Sequence, residues 1–206
     1  FYVIDGGGAD LMSLYGYERP TTPRIEEIAA QGVVFEQART SSGWTKPSTA
    51  SFMTSLHHSV LGGFTKNEDL IPPSTTTMAE HFHAAGYQTG VFTSNPFAGS
   101  MSGLEAGVDL FRDHGASPNS TSSTQLHADF WEWRTSWPGE PWWAHIQTTD
   151  VHEPHTPVEP WSGLYAREDR RQQCEQWWTD VHQVKGVERD TVLGKYRARL
   201  EHMGVD

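Results

Sequence analysis

Phe1-Tyr2-Val3-Ile4-Asp5-Gly6-Gly7-Gly8 decides the architecture. Aromatic and β-branched residues in an unbroken run have the composition of a strand buried on both faces. The acidic residue and the glycine turn end that strand abruptly. Outward from this start, helix and strand signals alternate. Thr22-Pro23 opens a helix, with Thr as N-cap and Pro at the first helical position. Ile25, Ile28 and Ala29 form its apolar stripe and Gly32 stops it, before a strand-like Val33-Val34-Phe35. Pro47 starts a second helix through Ala50, Phe52, Met53 and Leu56. Ser74 or Thr75 caps a third, with Met78, Ala79, Phe82 and Ala85 facing inward and Gly86 as its stop. Residues 88–94 and 142–147 read as strands, and the Ser/Thr-rich 117–124 as a loop. From Leu164 onward the chain is polar and helical in character. This alternation predicts an α/β fold, a mostly parallel sheet flanked by helices. The sheet is expected to be incomplete at both ends, since the chain opens inside a strand and stops at Met203-Gly204-Val205-Asp206 with no closing element.

Composition narrows the function. The chain has 206 residues, of which 36% are hydrophobic, and carries a net charge of −11. That is enough to bury a core, and too apolar for a disordered polyanion. A single cysteine excludes a disulfide framework and a Cys-built zinc site. No basic excess exists to replace counterions, so a nucleic-acid backbone is not the expected partner. No apolar run reaches the roughly 18 residues that a membrane span needs.

In a parallel α/β sheet, ligands bind beyond the carboxyl ends of the strands. Asp5 stands at one such end, and Asp150 and His152 follow another. Thr45, just before the helix begun at Pro47, can share that rim. A helix N-terminus presents free N–H groups and suits phosphate or sulfate. The glycine turn is neither a dinucleotide fingerprint, since the last glycine of that motif would fall at Leu11, nor a P-loop, since no Gly-Lys-Ser/Thr follows.

Taken together, several ordered blocks carry a family likeness. Ile4-Asp5-Gly6-Gly7-Gly8-Ala9-Asp10-Leu11-Met12-Ser13-Leu14-Tyr15-Gly16-Tyr17 resembles the opening of sulfatase-like enzymes of the alkaline phosphatase superfamily. Thr22-Pro23-Arg24-Ile25 through Phe35, the stretch Ser42-Gly43-Trp44-Thr45-Lys46-Pro47-Ser48-Thr49-Ala50, and Ser94-Asn95-Pro96-Phe97 are similar to later blocks of that family. Thr148-Thr149-Asp150-Val151-His152-Glu153-Pro154-His155 resembles its Asp-Pro-His block. The resemblance runs from Phe1 to about Pro160. It implies that 1–160 is the N-terminal part of a sulfatase-like catalytic domain, and that 161–206 is a polar helical continuation of it.

The departures are informative. Sulfatases of this family oxidise a Cys or Ser to formylglycine within a C/S-x-P-x-R motif. Here Thr45 holds the nucleophile position and Thr49 the arginine position, and the only cysteine is Cys174. Gly7-Gly8 replaces the family's Leu-Arg. Chains with Trp-Thr-x-Pro-Ser here resemble Thr-dependent phosphodiesterases and phosphoglycerol or phosphoethanolamine transferases.

The likeness implies a mechanism and a set of roles. Asp5 is the expected metal ligand, with Thr45 both ligand and nucleophile and Asp10 a weaker metal candidate that better suits capping a following turn. A divalent cation, Ca²⁺, Mg²⁺, Mn²⁺ or Zn²⁺, activates the Thr45 hydroxyl. Thr45 attacks a small anionic ester, phosphodiester-type or sulfuric, and forms a covalent intermediate. The first N–H groups after Pro47 hold a non-bridging oxygen. His152 contacts the ester or protonates the leaving group, and Lys46, adjacent to Thr45, neutralises developing charge or points to solvent. Asp113-His114-Gly115 spells the family's second metal-ligand pair, but no strand of suitable apolar character is expected to lead into His114, so it reads as coincidence. A missing C-terminal half is then expected to complete the metal site, and the 206-residue piece alone to be nearly inactive. Two other readings stand beside this one: an arylsulfatase-like sulfuric ester hydrolase, and a non-catalytic carbohydrate-binding fragment built on Phe130, Trp131, Trp133, Trp137, Trp142 and Trp143.

Overall fold

The computed structural model describes residues 1–64, 66–115, 123–152 and 164. The stretch expected to be helical over 161–206 lies outside them apart from Leu164, as do His155 and Cys174. The other described residues fall in one compact unit, Phe1–His152. Its centre is a sheet of β1 (Tyr2–Ile4), β2 (Gln88–Thr93), β3 (Leu110–Asp113) and β4 (Trp142–Thr148), in the order β1-β4-β2-β3. Every pairing is parallel, with Ile4 opposite Thr148, Thr93 opposite Gln147 and Thr93 opposite Asp113. All four carboxyl ends therefore open on one edge.

The helices are α1 (Pro23–Ala29), α2 (Thr45–Thr54), α3 (Met78–Ala84) and α4 (Ser123–Thr135). Side chains of a strand alternate between faces, and the two cores divide accordingly. Val91 and Trp143 pack with Ala50 and Met53 of α2 and Ala79 of α3, backed by Leu61, Phe64, Ile71 and Leu104. Phe92, Ala144 and Ile146 turn the other way, under Leu126, Phe130 and Trp133 of α4. Each such side chain withdrawn from water contributes about 1.5–3 kcal/mol before the entropy of ordering it.

Several expectations are corrected here. Val33-Val34-Phe35 is not a strand: it has no ladder partner among the described residues and stays exposed, Val33 at 80% and Phe35 at 72%. Ile28 is exposed as well, so the inward stripe of α1 is narrower than its sequence suggests. The second helix starts at Thr45, two residues before Pro47, and ends before Leu56. Proline fits its first turn because N–H groups there have no intrahelical acceptor. The cap of α3 is Thr77, not Ser74 or Thr75. Thr77 and Glu80 form a capping box, in which the Glu80 N–H donates to Thr77 Oγ1 (3.2 Å) and the Thr77 N–H to Glu80 Oε2 (2.7 Å). The end of the supposed 117–124 loop belongs to α4, which starts at Ser123. Three of the rings considered for a carbohydrate surface, Phe130, Trp133 and Trp143, are core residues. Trp131, Trp137 and Trp142 remain exposed.

Candidate active site

Asp5 follows β1 directly, and its N–H donates to the Thr148 carbonyl (2.9 Å), extending the β1–β4 ladder by one step. The chain then turns at Gly6, in the left-handed region at φ +77°. A Cβ there would lie 3.2 Å from His152 Cα, so glycine lets the segment after β4 cross close over the turn. In this way His152 is brought against the turn that follows Asp5, 146 positions after Gly6.

Three side chains converge on the Asp5 carboxylate. Asn95, just past β2, donates Nδ2–H to Oδ2 (2.6 Å). Gln147, near the end of β4, donates Nε2–H to the same oxygen (2.9 Å). Thr45, the first residue of α2, places Oγ1 3.4 Å from Oδ1 and 3.3 Å from Oδ2. That hydroxyl is beside both oxygens and clamped by neither, since a strong O–H···O bond spans about 2.7–2.8 Å. Asn95 Nδ2 also lies 3.5 Å from Thr45 Oγ1.

Asn95 is aimed by its surroundings. Its Oδ1 accepts from the Phe97 N–H (2.9 Å), capping the short turn Pro96–Ala98, so only the NH₂ end is left to face Asp5. Its backbone is held through buried Thr93, whose Oγ1 accepts from the Asn95 N–H and donates to the Asn95 carbonyl, both at 3.0 Å. Asn95 and Gln147 are the members of this cluster that the sequence argument did not assign to a role. The available signals were an amide just past a strand end and an amide directly after the largely apolar Trp142–Ile146 run.

The start of α2 at Thr45 changes which N–H groups can meet an anion. Pro47 has none, and the Ser48 N–H is taken by the Trp44 carbonyl (3.2 Å). The helical geometry leaves Thr45 and Lys46 with the unpaired first-turn N–H groups, in place of the residues after Pro47. The Lys46 side chain is fully buried rather than pointing to solvent. Its ammonium donates to the Asn67 carbonyl and lies 6.0 Å from the centre of the Phe64 ring. Burial lowers its pKa, with Asp69 and Glu68 opposing the fall. Lys46 is thus a buried cation one residue from Thr45, directed at Asn67.

Asp10 is not brought to the cluster. It lies exposed in the short turn Ala9–Leu11, with its carboxylate folded back on Gly8, where a Cβ would come within 2.5 Å of Oδ1. Nor does it cap the following turn, Ser13–Tyr15, whose N-cap is Met12. A strand does lead into His114: Asp113 is the last residue of β3 and His114 follows it, which corrects the expectation that none does. Both are nonetheless engaged locally. Asp113 accepts from the Ser100 N–H (2.9 Å) and hydroxyl (2.6 Å) and from the Gly115 N–H (2.9 Å). His114 Nε2 pairs with Asp129 of α4 at 2.6 Å. Asp150 accepts from the Ser123 N–H at 3.1 and 3.2 Å and so fixes the start of α4.

The carboxylate and hydroxyl oxygens of Asp5 and Thr45 are hard donors and fit a hard divalent cation in kind. Such an ion takes about six ligands. Among the described residues no group of three or more His, Cys, Asp or Glu could hold one. No helix among the described residues is long and apolar enough to cross a membrane.

The structure is thus a parallel α/β sheet with a carboxylate at one strand end and a helix-borne hydroxyl beside it, and sequence comparison gives the family. The family model described as Sulfatase matches residues 1–203, and the chain belongs to that family. It is 34% identical over 95 residues to the N-acetylgalactosamine-6-O-sulfatase of Bacteroides thetaiotaomicron, a match over 44% of this chain and 19% of that protein. Among solved structures it is similar to the phosphonate monoester hydrolase of Agrobacterium radiobacter (TM-score 0.65, 17% identity, 77% of this chain and 42% of that one). It is also similar to the phosphonate monoester hydrolase SpPMH from Silicibacter pomeroyi (TM-score 0.63, 14% identity, 100% and 59%). At these identities the structural likeness shows the shared fold. The chain spans 19% of the curated relative's length and about half that of the structural neighbours.

Proposed function

We propose that the protein cleaves phosphodiester-type esters through a covalent intermediate on Thr45, by hydrolysis or by transfer to an acceptor alcohol. The placement of the Thr45 hydroxyl 3.3–3.4 Å from both oxygens of Asp5, at the first turn of α2, is the observation that carries this reading. Asp5 and Thr45 would hold a divalent cation, which when bound lowers the hydroxyl's pKa and offsets the charge of the ester. The free N–H groups of Thr45 and Lys46 would receive a non-bridging oxygen. Deprotonated Thr45 Oγ1 then forms a bond to phosphorus while the bond to the leaving alcohol breaks. His152, whose backbone packs against Gly6 just after Asp5, is the proposed proton donor to that alcohol. Water or a second alcohol next attacks the threonyl ester and regenerates Thr45. The buried Lys46 contributes a fixed positive charge behind the nucleophile.

Threonine cannot be oxidised to formylglycine, which favours a phosphorus ester over a sulfuric one. The name of the Bacteroides relative favours the sulfuric ester instead. Assaying the full-length protein on paired aryl sulfate and bis-aryl phosphodiester substrates separates the two. The phosphodiester should turn over faster, and a sulfate preference overturns the assignment. Thr45→Ala should lower turnover by more than about 10³-fold, and a chelator should abolish it until a divalent ion is returned. Mass spectrometry of quenched enzyme should find the added group on Thr45, and turnover surviving Thr45→Ala would defeat the covalent route.

A further inference from the structure

We propose that His145 is a positioning residue for Asp5, acting through the Gln147 amide. The proposal rests on the reading of Asp5 as the carboxylate of the active site. His145 and Gln147 are two apart on β4 and therefore share one face of the sheet, about 7 Å apart along the strand. Both are buried, His145 at 0% exposure and Gln147 at 2%. Gln147 uses its NH₂ end on Asp5 Oδ2, but its Oε1 has no partner among the described residues, and neither ring nitrogen of His145 has one. Buried polar atoms in native proteins are nearly always paired, directly or through an ordered water. Here three orphans lie on one face of one strand.

The comparison with Asn95 shows what is missing. The Asn95 amide is fixed at both ends, with Oδ1 on the Phe97 N–H and Nδ2 on Asp5. Gln147 has only its donor end fixed, so rotation by half a turn would present Oε1 to the Asp5 carboxylate. A neutral imidazole carries one N–H, and in His145 that group is the donor able to hold Oε1, directly or across one water. Burial keeps this ring neutral, with its pKa lowered to about 3, and the Gln147 side chain opposes the fall, as an acceptor close to the ring does. Phe1 and Phe52 pack 6.1 and 5.8 Å from the ring centre and leave Gln147 as the polar side chain acting on it.

The test uses the full-length protein. In ¹⁵N spectra of the histidine rings, His145 should show one neutral tautomer with an exchange-protected N–H, and Gln147→Leu should shift that signal. An unprotected ring, or one indifferent to Gln147→Leu, overturns the proposal. His145→Phe keeps ring volume and removes the donor. It should weaken Mn²⁺ binding and lower kcat on a bis-aryl phosphodiester by about 10–100-fold, with KM little changed. At least one of His145→Asn and His145→Gln, which return an N–H near one ring nitrogen or the other, should recover most of the loss. Unchanged Mn²⁺ affinity and unchanged Gln147 NH₂ signals in His145→Phe also overturn it. If that variant does not fold, the ring spectra of the wild-type protein and Gln147→Leu decide. If the wild-type protein binds none of Mn²⁺, Mg²⁺, Ca²⁺ and Zn²⁺, the active-site reading fails, and the ring spectra still decide the His145–Gln147 contact.

Discussion

Asp5 holds its place because two amides bring N–H groups to one of its oxygens, and those amides are sensitive to changes of a single atom. Asn95→Asp keeps the acceptor that caps Pro96–Ala98 but exchanges the donor facing Asp5 for a second carboxylate. The repulsion between the two carboxylates should lower stability at neutral pH and less so in acid, and turnover should fall about 10–100-fold, as read by paired melting curves and kinetics. His145 supplies a pH prediction. Its folded pKa, about 3, lies below the roughly 6.5 of an unfolded histidine, so the unfolded chain binds the extra proton between these values. Its contribution to stability is intact above pH 6.5 and declines as the pH falls, by up to about 1.4 kcal/mol per unit. Denaturant titrations should show His145→Phe losing less stability than wild type between pH 6.5 and 5, by about 2 kcal/mol. Equal losses would contradict a neutral buried ring. Asp5 and Thr45 were legible as a rim pair because a strand end and a helix start are local signals. Asn95, Gln147 and the burial of Lys46 were not, because their roles depend on partners 90, 142 and 21 positions away.

At the level of elements, caps were read less well than cores. Thr77-Met78-Ala79-Glu80 is a capping-box sequence, yet Ser74 and Thr75 compete with it as potential caps until the chain path is known. Thr77→Ala breaks the box and should cost about 1 kcal/mol, measurable as a lower urea midpoint with an unchanged slope. β3 was missed because Leu110–Asp113 is short and half polar, and it becomes a strand only through its ladder with β2. Conversely, Val33-Val34-Phe35 has the residue types of a strand and, among the described residues, no ladder to join. Residue preference for the pleated state is weak without a neighbouring edge.

Across the compact unit, the fold class was readable because alternation of helix and strand leaves few topologies once connections are short and parallel. The order β1-β4-β2-β3 was not, since nothing local says that the last described strand slots beside the first. That order also separates Asp113 and His114 from Asp5, placing them at the end of the strand at the far side of the sheet. Asp113→Ala and His114→Ala should therefore lower stability, by releasing Ser100 and Asp129, while leaving kcat within a few-fold of wild type. Selective loss of turnover in either variant would make them part of the reaction. The late arrival of β4 has a consequence during synthesis. Asp5 leaves the ribosome ahead of Gln147, its partner 142 residues on, by roughly 7–28 s at ordinary elongation rates. Throughout that interval β1 lacks its described neighbour, so the nascent chain exposes a short apolar edge and an unpartnered Asp5 carboxylate. Chaperone dependence and slow refolding are the expected marks of a cluster whose partners emerge so far apart.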